Sequence, residues 1–213
     1  ENLWNISSPL MMASNNWAVS GKKTVSGKPI LANDPHLEVN RLPNIWYEIV
    51  LKMKNTYAMG ASIPGAPAIL IGRNSNLAWS ATYTFMDSTD SWIEKCRDCK
   101  YMREGDKWFP FIQREEVIKR KKKPSVKVIF YENDHGVLEG EPNEEGYYIA
   151  TRWTSSNSGA LTFNNIIKIF DAKTVTEGME ILGYVETSWN WVLSDKDGNI
   201  GYQMSGLMPK RRK

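Results

Sequence analysis

Apolar and polar residues alternate along most of the chain, and the alternation starts at Ala13-Ser14-Asn15-Asn16-Trp17-Ala18-Val19-Ser20-Gly21. Trp17 and Val19, two positions apart, fit one face of a pleated strand, so this stretch predicts a strand opening on Ser14. Turns at Gly21-Lys22-Lys23 and Ser26-Gly27-Lys28 precede Pro29-Ile30-Leu31-Ala32-Asn33, which predicts a neighbouring antiparallel strand. Asn33-Asp34-Pro35-His36 is a turn by composition. The apolar runs from Ile45 to Met53 and from Thr56 to Ala61 predict a hairpin about Lys54-Asn55. Pro64-Gly65-Ala66-Pro67 breaks the pattern and Ile69-Leu70-Ile71-Gly72 resumes it. Leu77 to Tyr83 is a further strand, followed by the acidic Asp87-Ser88-Thr89-Asp90.

From Trp92 to Glu139 the pattern predicts β-hairpins with long polar turns; Val126, Val128 and Phe130 give one partly buried strand. Helical spacing is found only late in the chain. Phe163, Ile166, Ile167 and Phe170 fall on one helical face, and Thr174-Val175-Thr176-Glu177 is a capping box that opens a short second helix. Trp189 to Ser194 and Ile200 to Met204 are strands again, joined by Asp195-Lys196-Asp197-Gly198-Asn199. Residues 1–13 show no period and are expected to be a connecting segment. Many strands, a pair of helices and more strands predict a layered α+β domain rich in antiparallel strands.

Composition narrows the function classes only a little. The 213 residues are 41% hydrophobic and 24% charged, the balance of an ordinary globular protein. Nine tryptophans favour a β-rich chain or aromatic-lined pockets. A formal charge of +3 is too small to argue for nucleic acid. The basic run Lys119-Arg120-Lys121-Lys122-Lys123 lacks a second patch or interleaved aromatics, so it is expected to be a solvated hairpin tip. No apolar run is long enough for a membrane span and the start of the chain carries no signal-peptide pattern. The chain starts abruptly at Glu1 and ends in Lys210-Arg211-Arg212-Lys213, so both ends are expected to be cut. The two cysteines, Cys96 and Cys99, are too few for a zinc site and lack the βαβ setting of a thioredoxin-like motif. They are expected to be either a local disulfide or two free thiols in a loop.

Ser14 carries the candidate chemistry. With only His36 and His135 available as imidazole bases, no serine triad can be assembled from spacing alone. A cut before Ser14 would instead free an α-amine with a pKa of ~8, able to serve as the base for its own hydroxyl.

Ser14-Asn15-Asn16-Trp17 followed by Gly27-Lys28-Pro29-Ile30-Leu31-Ala32-Asn33-Asp34-Pro35-His36 resembles the start of the β-subunit of the penicillin acylase family. The similarity continues through Ile63-Pro64-Gly65-Ala66-Pro67, Gly72-Arg73-Asn74, Trp79-Ser80-Ala81-Thr82, Trp189-Asn190-Trp191 and Asp197-Gly198-Asn199-Ile200-Gly201-Tyr202, and closes at Gly206 to Arg211. The resemblance implies a fragment of the N-terminal-nucleophile αββα four-layer sandwich. Residues 1–13 would be linker before a self-cleavage site, and residues 14–213 the start of the β-subunit with a hairpin-rich insertion at about 93–150. It further implies an amidohydrolase that cuts itself at Ala13–Ser14 and hydrolyses a small-molecule acyl amide through an acyl-enzyme.

Position by position, the resemblance makes Ser14 the nucleophile. His36 falls where some members carry a histidine near it. The Tyr83 N–H and the Asn190 side-chain amide would hold the oxyanion, and Arg211 would orient groups around Ser14. Leu37 and Ile71 would line the acyl pocket. Asp87, Thr89 (through its carbonyl) and Asp90 would bind a structural Ca2+, an oxygen-only ligand set that suits a hard cation, although an acidic solvated turn explains them equally. His135 would be structural. No redox cofactor and no nucleic acid is implied; the partners would be an α-subunit and the remainder of the β-subunit from the same precursor, in a periplasmic or secreted setting. Two other readings stand beside this one. The first is a tryptophan-rich β module that binds a carbohydrate or aromatic ligand, and the second is an acylase-fold pseudoenzyme.

Overall fold

The computed structural model describes residues 14–37, 45–156 and 159–211. The linker expected over residues 1–13, including Ala13, lies outside them. The chain divides into two compact units, Glu1–Met86 with Asn157–Met208, and Asp87–Ser156 with Pro209–Lys213.

In the first unit, β1 (Ser14–Val19) and β2 (Ile30–Pro35) form a two-stranded antiparallel pair. β3 (Tyr47–Lys52), β4 (Tyr57–Ser62), β5 (Ile71–Asn74) and β6 (Leu77–Tyr83) form one side of a six-stranded antiparallel sheet. Two late strands, Trp189–Asp195 and Ile200–Ser205, numbered β14 and β15 by chain order, complete it in the order β15-β14-β6-β5-β4-β3. Leu77, Trp79 and Ala81 alternate onto one buried face of β6, and Trp191 and Leu193 extend that face on β14. Against it pack α1 (Gly159–Lys168), a 3-10 turn at Ile169–Asp171 and α2 (Val175–Gly183), which bring Ile166, Ile169, Phe170 and Leu182 into the same core. Each such side chain contributes about 1.5–3 kcal/mol by leaving water. Gly178 lets α2 come close: a Cβ there would meet Leu193 at 2.5 Å and Leu77 at 2.8 Å.

Polar groups lock this core at two points. Buried Asn74 donates to the carbonyls of Ile169, Phe170 and Ala172 and accepts from the N–H groups of Asn76 and Leu77, so its amide is fully used. Asp195 accepts from the N–H groups of Asp197 and Asn199 in the β14–β15 turn and from the Val175 N–H at the start of α2. Burial pushes the Asp195 carboxyl up, but the Asn199 side-chain amide, which also donates to it, and these backbone hydrogen bonds outweigh it and hold the group below its ordinary range. The capping box at Thr174 forms, its Oγ1 accepting from the Glu177 N–H, while the Glu177 carboxylate reaches back to the N–H of Lys173.

One turn expectation is overturned. Asn33-Asp34-Pro35 continues β2, with Asn33 opposite Asn16 and Pro35 opposite Ser14. A residue before proline is driven to extended backbone, and a strand end tolerates the missing proline N–H. Composition alone overweighted Asn, Asp and Pro as turn formers.

The second unit is a seven-stranded antiparallel sheet in the order β10-β11-β12-β13-β7-β8-β9. Its strands are β7 (Thr89–Arg97), β8 (Lys100–Arg103), β9 (Lys107–Pro110), β10 (Ile112–Arg120), β11 (Lys123–Asn133), β12 (Gly136–Leu138) and β13 (Gly146–Trp153). The expected long polar turns are instead mostly tight. Asp98 and Cys99 both take positive φ (47° and 55°), the geometry of a two-residue hairpin turn. The insertion expected at about 93–150 falls inside this unit. Lys121 and Lys122 form the tip between β10 and β11. Cys96 lies buried in β7 rather than in a loop, and both cysteines are free thiols.

At the centre of this unit the Glu94 side chain, 1% exposed, accepts two hydrogen bonds from Arg103 (2.5 and 3.1 Å) and one from Asn133 (2.8 Å). His135 Nδ1 lies 2.7 Å from the same carboxylate, and its ring stacks on Trp92 at 4.9 Å. His135 is thereby part of the buried network around Glu94.

Candidate active site

The first unit assembles the expected nucleophile strand against the expected oxyanion strands. In β1, Ser14 and Asn16 share one face. The Asn16 side chain donates to the Asn190 carbonyl oxygen at 3.2 Å, which ties β1 to β14. Asn33, opposite Asn16 in β2, donates to the carbonyls of Asn15 (2.9 Å) and Ala81 (3.2 Å), tying both strands of the pair to β6. Its Oδ1 is buried without a partner among the described residues.

The β6–β14 register sets Asn190 opposite Thr82, and Tyr83 opposite Trp189. The Thr84 N–H donates to the Ser188 carbonyl, so by the alternation of an antiparallel ladder the N–H of Tyr83 faces away from β14. On that side the β5–β6 pairing reaches only to Trp79. This N–H and the Asn190 amide thus sit on adjoining strands, outside the ladder between them. The Asn190 Nδ2 lies 3.4 Å from both the Thr82 hydroxyl and the Tyr83 carbonyl, and its Oδ1 accepts from the Tyr202 hydroxyl at 2.6 Å. The Tyr83 ring, 46% exposed, meets Phe85 and Trp189 edge-on at 5.1 and 6.3 Å. Phe85 holds a left-handed φ of 51°, a conformation rare for a bulky residue.

The other expected residues are placed as follows. His36 follows Pro35, the partner of Ser14, but its Nε2 bonds the Asp34 carboxylate at 2.8 Å and its side chain is 48% exposed. Ile71 lines a cleft of about 890 Å³ with Leu31, Ile49, Met59, Asn33 and Ser80. Leu37, half-buried just past β2, is not among the residues that line it. Arg211 belongs to the second unit, where it pairs with Asp87 (3.0 Å) and Asp90 (2.9 Å) and donates to the Asp87 carbonyl.

That pairing bears on calcium. The two carboxylates have the right chemistry for a hard cation. However, the Arg211 guanidinium already pairs with both, Thr89 is held in β7 opposite Trp153, and no group of three or more acidic, histidine or cysteine side chains suited to a metal occurs among the described residues. As arranged, these residues do not fit a calcium ion.

Residues 2–213 match the family described as penicillin amidase. The chain belongs to the penicillin amidase family. It is 29% identical over 217 residues to an acyl-homoserine lactone acylase, QuiP, of Pseudomonas aeruginosa, a match covering 94% of this chain and 25% of that protein. It is also 29% identical over 202 residues to the penicillin acylase 2 proenzyme of Pseudomonas sp. (strain SE83), covering 93% of this chain and 26% of that protein. The chain therefore spans about a quarter of the length of these curated relatives. Among solved structures, a thermostable penicillin G acylase from Alcaligenes faecalis superposes with a TM-score of 0.76 at 23% identity, over 92% of this chain and 36% of that one. The likeness is one of fold: the chain, mostly antiparallel strands with few helices, is a fragment of the N-terminal-nucleophile fold.

Asn16, Asn33 and Tyr202 were not singled out from the sequence. A signal existed in Asn16, a residue type depleted in strands yet set inside a strand pattern.

Proposed function

We propose that this chain is the nucleophile-bearing part of a penicillin-acylase-type amidohydrolase. The observation that supports it most is the Asn16–Asn190 hydrogen bond, which joins the strand of Ser14 to the strand of the oxyanion amide. In this reading, the Ser14 hydroxyl first attacks the Ala13 carbonyl and takes over its acyl group as an ester. The C–N bond breaks in that step, leaving the Ser14 nitrogen as a free α-amine; water then hydrolyses the ester, releasing the upstream carboxylate and restoring the Ser14 hydroxyl. With a pKa of ~8, that amine accepts the hydroxyl proton as Ser14 attacks a substrate amide. The Asn190 Nδ2–H and the Tyr83 N–H hold the oxyanion, the proton passes to the departing amine, and water hydrolyses the acyl-serine ester.

The names of the relatives refer to acyl-homoserine lactones and penicillin, and the word proenzyme accords with a processing step.

The test is intact mass and N-terminal sequencing of the complete gene product, wild type beside Ser14→Ala, followed by a panel of acyl amides. The expected result is a wild-type chain that begins Ser14-Asn15-Asn16-Trp17 and releases free acid, beside a whole and inactive variant. If both stay whole under folding conditions, the terminal-amine mechanism has no base and fails. Processing without turnover of any amide would leave a pseudoenzyme.

A further inference from the structure

The Asn190 side chain has two ends of similar shape, and only one can stabilise an oxyanion. Nδ2 brings two donors, whereas Oδ1 would place an acceptor against developing negative charge. The neighbours of Asn190 decide between them. One end lies 3.4 Å from the Tyr83 carbonyl oxygen, which can only accept, so that end must be Nδ2. The other end lies 2.6 Å from the Tyr202 hydroxyl, which can donate. The two Nδ2 contacts, both at 3.4 Å, are long and weak, whereas the Tyr202 contact is short. A hydroxyl can donate or accept, so the Tyr83 carbonyl selects which end is Nδ2, while the short Tyr202 contact holds the plane of the amide in place.

The register explains how a tyrosine comes to be there. Asn190 pairs with Met204 across β14 and β15, and Tyr202, two residues along, projects from the same face as a diagonal neighbour. The Tyr202 side chain is long enough to bring its hydroxyl from there onto the Asn190 amide.

We infer that Tyr202 is a positioning residue of the oxyanion site. Its hydroxyl fixes the Asn190 amide with Nδ2 toward Tyr83. Without the hydroxyl the amide loses its one short contact and its plane swings, so Nδ2 points at the oxyanion less of the time. This rests on the reading of Asn190 as an oxyanion donor.

The experiment compares Tyr202→Phe, Asn190→Ala and the double variant in the complete gene product, with one acyl amide that the wild type hydrolyses. Tyr202→Phe removes one oxygen from a half-exposed side chain and should fold normally. We expect its kcat to fall about five- to tenfold, with KM changed less than about twofold and Tm within about 2 °C of wild type. In the Asn190→Ala background the same change should cost nothing further, because no amide is left to orient. An unchanged kcat in Tyr202→Phe overturns the inference. So does a double variant whose losses multiply, since Tyr202 would then act independently of Asn190. A processed wild type that hydrolyses no amide would instead sink the acylase reading, and this inference with it; measuring the wild type first separates the two failures.

Discussion

The Asn16 side-chain amide donates to the backbone carbonyl of Asn190 at 3.2 Å, linking residues 174 positions apart. It is the direct link between the strand of the proposed nucleophile and that of its proposed oxyanion donor. A net hydrogen bond of this kind is worth about 1 kcal/mol, so its loss should loosen the relation of β1 to β14 without unfolding the unit. Asn16→Ala is expected to lower kcat for amide hydrolysis about fivefold with little change in melting temperature. A wild-type kcat in this variant would mean that the link does not position Ser14.

Glu94 gives the second unit a predictable acid response. Burial pushes its carboxyl up, but hydrogen bonds from Arg103, Asn133 and His135 reverse this and hold it below the ordinary value of 4.5. A carboxylate depressed in the folded state stabilises at full strength above that ordinary value. The contribution fades as pH falls from there through the depressed one. Stability of the second unit should therefore be flat above about pH 5.5 and drop at lower pH. Glu94→Ala, which strands the Arg103 charge, should cost about 3 kcal/mol and remove much of that acid dependence. Denaturant unfolding followed from pH 3 to 7 checks both; an unaltered pH profile in the variant would show that other groups carry it.

Much of the fold was legible because periodicity is local. Leu77 to Tyr83, Trp189 to Ser194 and the helix around Phe163 to Phe170 were placed by alternation or by 3.6-residue spacing, and each formed. The stretch Asn33-Asp34-Pro35 was not, because its turn-forming composition competes with the extended backbone that proline imposes on its predecessor. Cys96 was misplaced because its buried strand is short on apolar neighbours in sequence. The site was legible only through the family resemblance. Nothing in local spacing says that β1 lies on β14, so Asn16, Asn33 and Tyr202 stayed hidden until strand order was known. The pairing of Arg211 with Asp87 and Asp90 likewise has no signal in local spacing.

The two thiols should differ sharply in reactivity. Burial pushes the Cys96 thiol up to about 11, with the nearby Glu94 charge adding to the effect, and the side chain is fully enclosed. Cys99 is half-buried in the hairpin turn, with its Sγ 3.3 Å from Asn143 Oδ1. Since the thiolate is the reactive form, iodoacetamide at pH 8 should label Cys99 first and leave Cys96 unmodified until the unit unfolds. Peptide mapping after a time course checks this; equal labelling of both would show that β7 opens under native conditions.

Arg211 sets the response to calcium. Since its guanidinium is bonded to both Asp87 and Asp90, calcium would have to displace Arg211 to bind, so at millimolar concentration it should move the wild-type melting temperature by less than about 1 °C. Arg211→Ala would leave two facing carboxylates, repelling each other and open to a hard cation. That variant should melt lower than wild type in chelator and recover with calcium, by about 1.4 kcal/mol at tenfold excess over its dissociation constant. Thermal unfolding of both proteins in chelator and in calcium decides the matter. A strong calcium stabilisation of the wild type would mean that the ion displaces Arg211 and that the acidic turn is a metal site after all.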